Sequence, residues 1–135
     1  MRPILQNLLG IILGIIIGSS VNMVIVTFSG EFIPLPEGIN PDDVLSLKEN
    51  IHRFKIKHYI MPFLAHALGT LIGAYIASKI VLTRKKLASY VIGLFFLFGG
   101  ISAAQMIGTP FVPTAVDLVF AYIPMAWFGN KLAHR

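Results

Sequence analysis

The chain has 135 residues, 56% of them hydrophobic and only 13% charged, about half the roughly 25% charge of an ordinary soluble domain. Together with a mean hydropathy of +0.78, this argues against a soluble globular protein. The formal charge of +5 is divided among loops and termini, without the basic stripe and interleaved aromatics of a nucleic-acid binder, so no nucleic-acid partner is expected. Cysteine is absent, which removes disulfides and thiolate chemistry.

Three long segments, 3–30, 58–78 and 87–116, contain no Asp, Glu, Lys or Arg. About 20 apolar residues cross a bilayer, so the pattern predicts an all-α integral membrane protein. The first span is expected at about 4–28. Its apolar character continues beyond Gly18-Ser19-Ser20 to Phe28, too long for the apolar core of a cleaved signal peptide.

Residues 29–59 form a long connection. Asn40-Pro41-Asp42-Asp43 reads as a helix start, with a capping Asn, a proline at the first helical position and two carboxylates at the positive end of the dipole. Val44, Leu47, Ile51 and Phe54 follow at helical spacing, predicting an amphipathic helix over 41–54 that lies over the bundle mouth or serves as a connector. A second span is expected at 60–80, with Pro62 in its first turn. The third is expected at 88–107, the fourth at 113–131, and Gly108 to Pro113 forms the tight link between them. Pro124 is expected to kink the fourth span and free the Phe120 carbonyl. The chain thus reads as one four-helix transmembrane domain over 1–135, with an extracytoplasmic amphipathic helix between helices 1 and 2.

Four spans place both termini on one side. Arg2, Lys79, Arg84, Lys85, Lys86, Lys131 and Arg135 share that side, against Lys48, Arg53, Lys55 and Lys57 on the other. Lys and Arg counts set orientation, so cytoplasmic termini in a bacterial inner membrane are expected, with the lipid bilayer as the first partner and a homodimer or membrane-complex subunit as the second.

Gly10, Gly14, Gly18 and Asn22 recur every four residues on the first helix, as do Ala65, Gly69, Gly73 and Ala77 on the second. Small residues permit the close backbone approach by which lipid-embedded helices associate; packing of helices 1 and 2 against each other is the favoured reading over a dimer seam. A weak repeat accompanies this. A shift of 51 puts His66 on Asp117 and Pro62 on Pro113, and a shift of 83 puts Asn22 on Gln105 and Gly10 on Gly93, as two duplicated hairpins would.

Each expected span carries one strongly polar group in its outer half: Asn22, His66, Gln105 and Asp117. All four fall roughly 3–10 Å below the outer helix ends, with Thr70 one turn below His66. Intramembrane polar groups are costly and tend to meet in the bundle interior. The leading expectation is an outward-facing layer that binds or passes a small polar solute or lipid head group, with His66 and Asp117 central, Asn22 and Gln105 as orienting amides and Thr70 extending the layer. A structural or assembly subunit, in which the layer is only an interhelical clamp, is the alternative. A membrane enzyme is third, with His66 as base, Asp117 as orienter and Ser19, Ser20 or Ser102 as nucleophile. The histidine spacing gives no convergent metal set, and no cofactor is expected. Four short spans resemble the small multidrug resistance exporters, but that family relies on an acidic residue within its first helix and residues 4–28 contain none.

Overall fold

The computed structural model describes residues 2–135, and these contain helices and no strand. Helix α1 (Arg2–Phe32) carries Pro3 in its first turn and continues through Gly30 past the expected end at 28. The Ser29 hydroxyl donates back to the Val26 carbonyl (2.6 Å) and the Ile33 N–H to Ser29 (2.9 Å). Termination comes at Pro34, which drives Ile33 out of the helical region.

The connecting segment departs from expectation too. Asn40 does not cap a helix: its Oδ1 accepts from the Asp42 N–H at 3.0 Å and closes a local turn around Pro41. The cap is Asp43, whose Oδ1 accepts from the Leu45 N–H at 3.0 Å, so α2 spans only Val44–Asn50. Two 3₁₀ turns, Ile51–Arg53 and Ile56–Tyr59, complete the segment, and Phe54 lies between them in extended backbone. The continuous helix expected over 41–54 is therefore shorter, and α2 leans on α4 rather than standing alone.

Helix α3 (Ile60–Ile80) matches its expected bounds. Helix α4 (Lys85–Ile107) begins three residues before expectation, directly after Arg84 in the left-handed region, and ends at Gly108 with φ 75°. The fourth segment is not one helix. It divides into α5 (Phe111–Phe120) and α6 (Ile123–Ala133), with Pro124 in the first turn of α6. The proline withdraws the N–H that would bond Phe120 and its ring crowds that carbonyl, so the expected kink is a complete break at Ala121–Tyr122. Four helical segments are long and apolar enough to cross a membrane: Arg2–Phe32, Ile56–Ile80, Lys85–Ile107 and Phe111–Ala133.

Helix α3 is the hub, packed against α1, α4 and α6. Its buried residues are all small: Ala65, Ala67, Gly69, Thr70, Gly73, Ala74, Ala77 and Ser78. On α1 the buried positions are Gly10, Gly14 and Gly18. A Cβ built on Gly14 would lie 2.6 Å from the Gly73 carbonyl oxygen, and one on Gly18 equally close to Gly69; the reverse substitutions meet Gly14 and Gly18 at 2.7 and 2.8 Å. The two backbones are thus in direct contact over two turns. Around this seam the surface is apolar, with Ile4, Leu5, Phe98, Val112 and many similar side chains exposed.

Helix α3 runs parallel to α5 and α6. His66 bonds to Asp117, 51 residues on, and Ser78 to Asn130, 52 residues on, a nearly constant offset. Polar contacts also close the end that carries the termini. The Gln6 amide donates to the Ile80 carbonyl (2.9 Å), Asn7 Nδ2 to Thr83 Oγ1 (2.7 Å), and Asn7 Oδ1 accepts from the Leu82 N–H (2.9 Å).

Gly14→Ala should separate α1 from α3 and cost about 1–3 kcal/mol, as overpacking does. Gly99→Ala should be neutral or stabilising, since nothing lies within 4 Å of a Cβ there and alanine favours a helix. Thermal unfolding of both variants in detergent checks the contrast.

Candidate functional site

His66 and Asp117 are each the seventh residue of their helices, α3 and α5, and face one another two turns from the ends joined to the loops. His66 Nδ1 lies 2.8 Å from Asp117 Oδ1. The second carboxylate oxygen, Oδ2, accepts the Tyr122 hydroxyl at 2.8 Å. A carboxylate oxygen accepts, so this geometry fits the imidazole tautomer whose Nδ1–H donates to Asp117.

Tyr122 owes its position to the helix break. Five residues along an unbroken helix would point it about 140° away from Asp117. At the break its backbone takes φ −117°, ψ −79°, and the ring turns inward to become almost fully buried, 1% exposed. There it stacks beside His66, centroids 5.8 Å apart and planes inclined by 27°. The space it fills exists because residue 100 is glycine: any Cβ there would collide with the Tyr122 hydroxyl. Gly93 plays the corresponding part lower down α4, where a Cβ would lie 2.8 Å from that of Ala126.

The side chains of His66 and Asp117 keep 26% and 18% of their accessibility. His66 Nε2 has no hydrogen-bond partner among the described residues and is not enclosed. The triad therefore holds an imidazole by one edge and leaves the other open. A ring so oriented can accept a hydrogen bond at Nε2.

The other expected members of the layer do not join this pair. Gln105 is exposed on α4 and makes no hydrogen bond among the described residues, because its helix face points away from α3. Asn22 packs its Cβ beside Gly69 in the α1–α3 seam, and its Oδ1 is enclosed without a partner. Thr70 is completely buried one turn below His66, and its hydroxyl is likewise unpartnered. The Ser20 hydroxyl is spent on the Ile16 carbonyl (2.8 Å), and Ser102 is exposed on α4. Among the described residues, no three His, Asp or Glu side chains gather in one place.

Tyr122 was not read as a site residue from the sequence, and neither was Asn130, whose amide donates to Ser78 Oγ at 3.0 Å near the opposite end. The signal for Tyr122 was present: a hydroxylated ring two residues before a proline inside an apolar span. The site and fold together define a small apolar helical bundle with one Asp-braced histidine. No known family model, curated protein or solved structure matches the chain.

Tyr122→Phe retains the ring in its notch and removes one hydrogen bond, an expected cost of about 1–2 kcal/mol. Gly100→Ala displaces the whole ring and should cost more; thermal unfolding of the two variants establishes the order. Nitrogen NMR on histidine-labelled protein should find His66 as the Nδ1–H tautomer, with Asp117→Asn erasing that preference.

Proposed function

We propose that the chain is a small polytopic membrane protein of a bacterial inner membrane that binds or passes a small polar solute or lipid head group at His66. In this reading both termini are cytoplasmic and α2 lies outside. Support comes from the four long apolar helical segments and the exposed aliphatic surface, since contiguous apolar surface of this extent is foreign to a water-soluble monomer. Three aromatic–lysine pairs, each four residues apart, gather at the end bearing the termini. They are Lys79 over Tyr75 at 5.7 Å, Lys86 over Tyr90 at 6.0 Å and Lys131 over Trp127 at 4.8 Å. Such amphipathic rings and basic heads suit a head-group boundary.

The observation that carries the binding reading is the unpaired Nε2 of His66. The imidazole is oriented through Asp117 and Tyr122, and its remaining nitrogen is free to meet a polar group in the loop-side half of the bundle. Ionisable groups in that setting are costly in hydrocarbon and by default mark functional positions. A purely structural clamp is the second reading. Its own observation is that both Asp117 oxygens are satisfied by the chain, one from α3 and one from the α5–α6 break.

Thermal stability of the purified protein with zwitterionic amino acids, polyols and lipids of differing head group separates the two. Binding predicts that at least one probe raises the midpoint of the wild type by several degrees and has no effect on His66→Ala, whose own midpoint stays near the wild-type value. A clamp predicts no probe effect and a large fall in the midpoint of both His66→Ala and Asp117→Asn. Topology is tested separately, because the native chain lacks cysteine. An impermeant thiol reagent should label Ser46→Cys in intact spheroplasts and His134→Cys only after permeabilisation.

A further inference from the structure

A second polar feature lies in the connecting segment, away from His66. The extended stretch Pro34 to Glu37 faces residues 53–58 across an open depression of about 390 Å³, lined by Pro34, Leu35, Pro36 and Glu37 on one wall and Arg53, Lys55, Lys57 and His58 on the other. That size falls in the roughly 300–1,000 Å³ range of ligand sites.

The walls are tied together by the chain itself. Arg53 Nη2 donates to the Glu37 carbonyl at 3.0 Å and Nη1 to Asn50 Oδ1 at 3.1 Å, which spans the depression and leaves other N–H groups of the guanidinium unused. His58 is buried, accepts the Lys55 N–H on Nδ1 at 2.8 Å, and packs edge-on against Phe54 at 5.5 Å. The backbone that presents Lys55 and Lys57 is thereby held in one conformation. Neither lysine forms an ion pair among the described residues, where the one such contact is His66 with Asp117. Three cationic side chains thus border one concavity against the single carboxylate of Glu37.

We propose that this depression binds a phosphate group, carried by an anionic phospholipid or by a soluble phosphate compound. The guanidinium and two exposed ammonium groups supply several donors to a compact anion with several oxygens, which suits phosphate better than a single carboxylate. The rim adds an apolar element: Ile56 is 85% exposed beside the cations and Ile60 follows at 47%. A phospholipid joins these two chemistries in one molecule.

The test uses the full chain in uncharged detergent and in phosphatidylcholine nanodiscs with or without phosphatidylglycerol. Inorganic phosphate and phosphatidylglycerol are the probes, and native mass spectrometry with thermal unfolding the readouts. Lys55→Gln/Lys57→Gln leaves the Arg53 bridge intact and should weaken binding about 25-fold, roughly fivefold for each charge removed. Glu37→Gln should strengthen it, which a merely damaged loop does not do. Phosphatidylglycerol binding that excess inorganic phosphate does not displace assigns the lipid head group; saturable binding of phosphate alone assigns the soluble source. The proposal is overturned if neither probe binds. It is equally overturned if Lys79→Gln/Lys131→Gln, which removes two charges at the other end, weakens binding as much as the lysine pair in the depression.

Discussion

The architecture depends on how closely backbones approach along α3. Between helices in an apolar surround there is no hydrophobic drive, and attraction comes from dispersion over short distances and from polar contacts. Glycine at Gly14, Gly18, Gly69 and Gly73 brings carbonyl oxygens of one helix against the α-carbons of the other, a geometry that also favours weak Cα–H···O contacts. With α1 held this way on one side, beside Ala77, the small residues Ala67 and Ala74 are left to receive the α5–α6 break and helices α4 and α6. A helix surrounded on three sides has little freedom to rotate. The direction in which His66 points is therefore set by packing residues, before any hydrogen bond to Asp117 is counted.

The partner side is built by the opposite device. Where α3 is continuous and smooth, the segment facing it is interrupted by Pro124, and the interruption reorients Tyr122 toward Asp117. Proline is usually a disruption within an apolar helix, with the freed backbone groups needing new partners. Here the ladder resumes immediately: the Ala121 N–H donates to the Asp117 carbonyl at 2.9 Å and the Ala126 N–H to the Tyr122 carbonyl at 2.8 Å. The same residue, Asp117, accepts through its carbonyl, Oδ1 and Oδ2. The last backbone bond of α5 and the side-chain contacts of the imidazole and Tyr122 thus meet at one residue.

Much of this was legible in the sequence, and the exceptions have physical causes. Long apolar stretches and glycines at four-residue spacing report directly on burial and contact, so the four helical segments and the α1–α3 seam follow from them. The His66–Asp117 pairing follows from the cost of isolating either group in an apolar bundle. Helix ends were misjudged where a side chain competes for the backbone: Asn40 closed its own turn and moved the start of α2 to Val44. Gln105 and Asn22 share a depth with His66 by residue count, but depth says nothing of azimuth, and each faces elsewhere around its helix. Gln6, Asn7 and Asn130, which close the other end, lie outside the loop-side halves where the expected polar groups cluster.

Those closing contacts bear on how the bundle could change shape. Near the termini α3 is tied to α1 through Gln6 and to α6 through the Ser78–Asn130 bond. Toward the loops the hydrogen bond between α3 and α5 is the His66–Asp117 contact. At that end the polar ties are the His66–Asp117 contact and the Tyr122 bond, with Ala67, Phe63 and Leu118 packed around them, whereas at the other end several neutral amide bonds and the glycine seam hold the helices. The break at Ala121–Tyr122 separates α5 from α6 within the fourth segment. The contact that joins α3 to α5 thus lies at the end of the bundle held by the fewest polar bonds.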